Sequence, residues 1–593
     1  MQSEVKNCQN CKKSFEIEPD DFDFYKKMEV PPPTFCPMCR AQRRWNFRNE
    51  RGFFKRKCDF SGKEIFSMYA PESPIKVYEK NIWLSDVWDP MDYGKDIDWT
   101  RPFLTQLREL MLSVPFKANN VIRGVNSDYS NNATNPKNCY LVFNTTEPED
   151  CMYSNGVNHS KDCVDVSHVS RSESCYQSFW VTSSYRIHYS SQCVDSSDLW
   201  FCKDCQGCMN CFGSVNLRNK NYYFFNQQLS KEEYEKKVKE YNLHTRAGLI
   251  KALADTQSFW KKFPNKNHQG IKNLNCTGSY VTNSKNVKDS FLIRDSENMR
   301  YCQYLQETPG SKDCYDYTNW GHTAEMIYES VSCGTGVQNI KFSWLMQENV
   351  NNTEYSMACR GSSFLFGCIG LRTKQYCILN KQYTKEEYEK ITEKLRKHMH
   401  EMPFIDTNGY IYTYGEFFPT EFSPWAYNET LAQEYFPLTK EEAEKKYRWR
   451  DPDTKNYTPS ISAHDIEDDI TKVPDSIISE VLECSHKMTC NHGCTKAFRI
   501  LPNELQFYRK IGVPLPTACP ACRTLERLKM RLGIHLYDRS CMCNGDKDDT
   551  GEYKNGVSHE HGQPHCEEKF KTGYSPGRGD IVYCEKCYQQ EVY

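Results

Sequence analysis

The chain has 593 residues with 76 Lys and Arg against 78 Asp and Glu, a net charge of -2. No global field therefore draws it to nucleic acid or to an anionic membrane, and any such binding must come from a local patch. Cysteine is the outlier: the count is 31, an odd number that a fully paired secreted framework would not use.

The start, Met1-Gln-Ser-Glu-Val-Lys-Asn-Cys8, lacks the apolar run of a signal peptide, and nowhere do about 18 apolar residues occur together. The expectation is a cytoplasmic protein without a membrane span, whose reduced thiols bind metal or fill a core. At roughly 150 residues per domain the length allows about four units.

Two knuckles come first, Cys8-x2-Cys11 and Cys36-x2-Cys39, a spacing that brings four thiolates onto one tetrahedral zinc. They predict a zinc ribbon over 1-60, followed by an extension with a helix over 61-118. Between Arg40 and Cys58 eight basic residues face one acid, Glu50. A helix after the second knuckle would carry Arg40, Arg44 and Arg48 as one stripe, with Arg43 and Arg51 beside it. Such a face suits RNA or DNA phosphates, or an acidic protein partner; the alternative is that the arginines pair with acids of the chain itself, on the central repeats or in Asp20-Asp21-Phe22-Asp23.

The centre has no helical period. Cys139, Cys151, Cys163 and Cys175 recur every 12 residues, each followed by a short strand-like run and a turn. This predicts a mainly β architecture of two β-solenoid modules, parallel β-helix-like, over 119-262 and 263-400. Each ends in a helix opened by a capping box, Ser230 with Glu233 and Thr384 with Glu387. The spaced cysteines then read as small buried hydrophobes. Cys202-x2-Cys205-x2-Cys208-x2-Cys211 leaves three uses open: core positions in a tight coil, zinc, or an iron–sulfur cluster, although the run lacks the Cys-Pro ending of bacterial ferredoxins. The repeated Lys-Asp-Cys-x-Asp offers Asp162, Asp165, Asp313 and Asp316 as turn formers, or as the paired carboxylates of a glycan-acting β-helix.

Residues 401-483 are rich in Pro and aromatics and should pack on the solenoid, with only about 451-475 mobile. The last segment, 484-593, repeats the knuckles as Cys490-x3-Cys494 and Cys519-x2-Cys522, with Cys484 able to replace Cys490. Arg523, Arg527 and Arg531 repeat the basic stripe. Cys541, Cys566, Cys584 and Cys587 supply a second zinc site, with Cys543 as a substitute for Cys541 and His559, His561 and His565 as further candidate ligands.

Two internal duplications tie these segments together. A shift of 483 places Cys11 on Cys494, Phe24-Tyr25 on Phe507-Tyr508, Cys36 and Cys39 on Cys519 and Cys522, and Arg40, Arg44 and Arg48 on Arg523, Arg527 and Arg531. Glu79 and Ile82 stand where Cys584 and Cys587 would be, so the first ribbon lacks the second metal and leaves Cys58 alone and buried. A second shift, 151 at Lys161 and 154 at Lys220, superposes the two central modules.

Cys8-x2-Cys11, Phe15, Phe24-Tyr25, Pro33 and Cys36-x2-Cys39-Arg40 resemble a zinc-ribbon family whose core reads C-x2-C-x3-F, F-Y, then Pro before C-x2-C-R. The resemblance covers the knuckle regions at both ends and implies a small structural zinc site with no established activity. Two ribbons around a Cys-rich repeat also resemble large zinc-ribbon proteins without a known mechanism. The sequence therefore points to a non-enzymatic scaffold with about three zinc ions. Its basic ribbons would contact nucleic acid; the alternatives are a protein-assembly scaffold and a carbohydrate-binding or carbohydrate-active β-helix.

Overall fold

The computed structural model describes residues 2–306, 308–451, 458–489, 493–543, 555–562 and 565–593. The chain divides into two compact units, each assembled from three separate segments. One comprises Met1–Asn119, His268–Arg450 and Ile534–Leu536; the other comprises Asn120–Asn267, Asp451–Gly533 and Tyr537–Tyr593. Within the first, the N-terminal ribbon packs on the second repeat module. Within the other, the C-terminal ribbon packs on the first module.

Both modules are parallel β-solenoids. In the module before Asn267, strands pair at a rise of 12 residues: Asn131↔Phe143, Asn155↔Ser167 and Ser167↔Phe179 on one side, Tyr185↔Ser197, Ser197↔Met209 and Met209↔Asn221 on another. Single bridges such as Val125↔Lys137 and Met152↔Val164 complete further ladders, so each coil has four sides of three residues. At almost every third residue the backbone turns through the left-handed region, φ near +50° from Arg123 to Phe225. Asn and Asp accept that conformation readily and occupy many corners. Leu141, Trp180 and Phe201 adopt it too, and the Phe201 amide donates to the His188 carbonyl of the preceding coil.

Three-residue sides leave a narrow interior, which explains the cysteine content. One residue per side points inward, and small side chains fill these positions. Cys139, Cys151, Cys163, Cys175 and Cys193 are fully buried there with Val157, Val169 and Val181. The inward thiols and hydroxyls also donate to the carbonyl two residues back, as Cys163 Sγ does to Lys161 and Ser160 Oγ to Asn158. Ser160 Oγ in turn accepts from the amide of Ser172, one coil later. Cys202, Cys205, Cys208 and Cys211 are the four inward residues of a single turn, one from each side, all at 0% exposure. Among the readings of that run, the geometry places it in the core ladder.

The second module repeats the design with wider coils. Its register steps by 12 residues at Gly278↔Ser290 and by 13 from Lys312 through Glu325 and Gln338 to Asn351. Those three wider coils account for the growth of the repeat offset from 151 to 154. Each solenoid stops at a short antiparallel hairpin, Tyr223↔Gln228 and Cys377↔Gln382, which closes the otherwise open edge. Capped helices follow at Lys231–Lys239 and Lys385–Glu401, with both reciprocal capping boxes formed.

Residues 401-450 are packed as expected: Phe417, Phe418, Phe422 and Trp425 are buried in one core with Phe35, Phe47 and Trp344. Part of the stretch expected to be mobile is packed instead. Residues 452–457 lie outside the described residues, but Ile466, Ile470 and Val473 are buried against Leu505 and Tyr508 of the C-terminal ribbon. Apolar residues in a polar surrounding were the overlooked sign of that anchoring.

Candidate metal centres

In the N-terminal ribbon a hairpin, Glu4–Asn7 with Ser14–Ile17, delivers Cys8 and Cys11 from its turn. The helix Pro37–Trp45 delivers Cys36 as its N-cap and Cys39 from its first turn, where Pro37 suits the first helical position. The four sulfurs lie within 4.8 Å of one another. Cys11 and Cys36 Sγ are 3.7 Å apart. A tetrahedral four-thiolate zinc, with Zn–S of about 2.3 Å, sets its sulfurs about 3.8 Å apart, so the donor set and spacing fit that ion. The amide of Cys36 donates to Cys8 Sγ at 3.3 Å and Asn10 Nδ2 to Cys39 Sγ at 3.4 Å. The thiol hydrogen bonds of Cys36 and Cys39 hold Cys8 far below the ordinary thiol range, while the Cys36 and Cys39 thiols are themselves raised.

The C-terminal ribbon repeats this around Cys484, Cys494, Cys519 and Cys522. Cys484 and Cys522 Sγ are 3.8 Å apart, and the Cys519 amide donates to Cys484 Sγ at 3.2 Å, as Cys36 does to Cys8. Cys484 thus takes the place of Cys8, while Cys490 lies outside the described residues. The equivalents of Cys8 and Cys11 are offset by 476 and 483, so the sequence between them is seven residues longer. Cys519 is held low by the thiols of Cys484 and Cys522, and Cys484 is pushed up to about 12 by Cys519.

A third group, Cys541, Cys566, Cys584 and Cys587, forms in the extension. Cys584 caps the helix Glu585–Val592, the Cys541 thiol donates to it and lowers it to about 5, and Cys566 Sγ lies 4.0 Å away. The Cys584 amide donates to Cys541 Sγ at 3.2 Å. The N-terminal counterpart keeps only that hydrogen bond: the Glu79 amide donates to the buried Cys58 Sγ at 3.2 Å. Cys543, His559 and His561 converge on the other side of Cys587; His565 belongs to neither group.

The basic stripe does not form a phosphate-binding face. The expected helix is present, but Arg40, Arg43 and Arg44 are at most 3% exposed, and Arg48, Arg523, Arg527 and Arg531 are buried as well. Arg40 and Arg44 both bind Asp316, at 2.7 and 2.9 Å. Arg43 bridges Glu329 and Glu416 at 2.8 Å each. Arg48 pairs with Glu50, and Arg51, the most exposed of the set, with Glu434. In the other unit Arg523 and Arg527 both bind Asp165, at 3.1 and 2.7 Å. Asp165 and Asp316 are the equivalent carboxylates of the two Lys-Asp-Cys-x-Asp repeats, and both occupy left-handed corners with no exposure. Even the flanking pair is duplicated, as Lys27 with Asp313 and Lys510 with Asp162. Asp21, in the acidic run considered as a partner, is buried against Arg300 rather than the stripe.

Comparison with known proteins adds little. No family model matches the chain, and no curated protein matches it. Among solved structures, the chain is similar to a crystal structure from Desulfovibrio desulfuricans described as a "putative acetyltransferase", at 10% identity. That match covers 40% of this chain and 62% of the other, with a TM-score of 0.11.

Proposed function

We propose that the protein is a non-enzymatic, zinc-stabilised scaffold of the cytoplasm whose solenoid faces dock other proteins. One observation carries this reading. The two features with chemical potential, the basic stripe and the repeated Asp carboxylates, neutralise each other in buried pairs. Neither the arginines nor Asp165 and Asp316 are then available to phosphate, sugar or substrate. Zinc is favoured because closed four-thiolate sites of tetrahedral spacing suit it, with no open position for catalysis. Each ribbon buries too little apolar surface to hold itself together, and metal binding supplies that stability.

Two measurements test the proposal. Elemental analysis of the purified chain should find zinc and no iron; bound iron with labile sulfide would overturn the assignment of Cys202 through Cys211 to the core. Affinity capture should return defined protein partners that survive nuclease treatment and roughly 0.5 M salt, where phosphate-driven binding is lost. Capture of RNA or DNA alone, falling steeply with salt, would reject the scaffold reading.

A further inference from the structure

We propose that the C-terminal extension holds two metal ions rather than one, bridged by the thiolate of Cys587. The first takes Cys541, Cys566, Cys584 and Cys587; the second takes Cys543, His559, His561 and the same Cys587. The donor atoms of the second set lie within 4.8 Å of one another. Cys543 Sγ is 3.1 Å from His559 Nδ1 and 3.5 Å from His561 Nε2, which is 3.4 Å from Cys587 Sγ. For tetrahedral zinc, with Zn–S of about 2.3 Å and Zn–N of about 2.0 Å, the sulfur-to-nitrogen separation is about 3.5 Å.

The number of donors points the same way. Two separate tetrahedral ions need eight; among the described residues of the extension the two groups gather seven, the number required when one thiolate is shared. A second ion also lowers the buried charge. Five thiolates on two divalent ions leave one net negative charge, whereas four thiolates on one ion leave two.

The surroundings are built for the second ion. Cys543, His559 and Cys587 are at most 3% exposed. His559 Nε2 faces Glu591 Oε2 at 3.3 Å, which assigns the proton to Nε2 and leaves Nδ1 to bind metal. Glu591 is itself fixed by the Gly556 amide at 2.5 Å. Asn555 donates to Cys543 Sγ at 3.3 Å and is oriented by the Tyr583 hydroxyl at 2.7 Å. In the N-terminal copy the equivalents of Cys543, Cys584 and Cys587 are Phe60, Glu79 and Ile82, so both halves of the cluster are missing together.

The test uses the full chain, independently of what the scaffold binds. Mass spectrometry under native conditions should find four metal ions per chain, and three in His561→Gln, whose side chain is partly exposed and tolerates replacement. Cadmium-113 substitution should give two resonances from the extension with scalar coupling to each other through the shared sulfur. Glu591→Gln, a positioning change, should weaken retention of one ion roughly 10–100-fold against a chelator and leave the other three in place. Three ions in the unsubstituted chain, or four with no cadmium–cadmium coupling, would overturn the bridged pair.

Discussion

Inside the solenoids the choice of each inward residue follows from the width of a coil with three residues per side. A thiol or hydroxyl fits the space and donates to the carbonyl two residues back, so Cys and Ser share these positions with Val, Ile and Leu. His188 lies outside this inner ladder, next to the inward Ile187. It is buried against Trp200, and burial, with Arg186 nearby, pushes its imidazole down to about 3. The folded chain therefore keeps His188 neutral, while the unfolded chain protonates it below about 6.5. Stability from this group is complete above about pH 6.5 and falls as pH drops from there toward 3, by about 2 kcal/mol at pH 5. Replacing His188 with Gln should flatten the dependence of the denaturant midpoint on pH between 7 and 5. An unchanged slope in the variant would show that other groups set it.

At the scale of elements, the interface between ribbon and solenoid was built once and kept in both units. A carboxylate on a solenoid corner receives two arginines from the helix after the second knuckle, as Asp316 with Arg40 and Arg44 and Asp165 with Arg523 and Arg527. Removing the charge from either carboxylate takes an acid from two buried guanidinium groups, though Arg523 keeps Glu504 and Arg44 keeps Glu329, a loss of roughly 3–5 kcal/mol. Asp165→Asn should thus loosen the C-terminal ribbon, and Asp316→Asn the N-terminal one. Hydrogen exchange would show faster amide exchange in Pro520–Leu528 for the first variant and in Pro37–Trp45 for the second. Equal protection in variant and parent would mean that apolar packing alone holds the ribbons.

These elements also mark how far the sequence could be read. The 12-residue cysteine spacing, the capping boxes and the paired knuckles are local patterns with local causes, and they led to the solenoids, the closing helices and the first metal centre. The sequence offered acids of the central repeats as partners of the arginine stripe, and the structure has them there, but which acid meets which arginine was out of reach, because Arg40 and Asp316 are 276 residues apart. Local spacing also favoured Cys490, which lies outside the described residues, while the backbone puts Cys484, the alternative the sequence offered, directly after a hairpin strand and beside Cys494, Cys519 and Cys522.

For the whole molecule, the segment order has a consequence for folding. The N-terminal ribbon is made first, yet its acids lie far downstream: Arg43 meets Glu329 and Glu416, separated from it by 286 and 373 residues. Loop closure over such distances is slow, and the ribbon helix emerges with its arginines and apolar face uncovered. Metal binding at Cys8, Cys11, Cys36 and Cys39 needs no downstream residue and can hold the ribbon's small fold meanwhile. A chain truncated after Asn267 should therefore keep the metal of this ribbon but leave Pro37–Trp45 open to protease, whereas in the full chain the same helix is protected. Limited proteolysis of both, each with metal content measured, checks the two halves of the expectation. Full protection of the helix in the truncated chain would mean that the ribbon is stable without the second solenoid, and that its buried ion pairs fix its position rather than its fold.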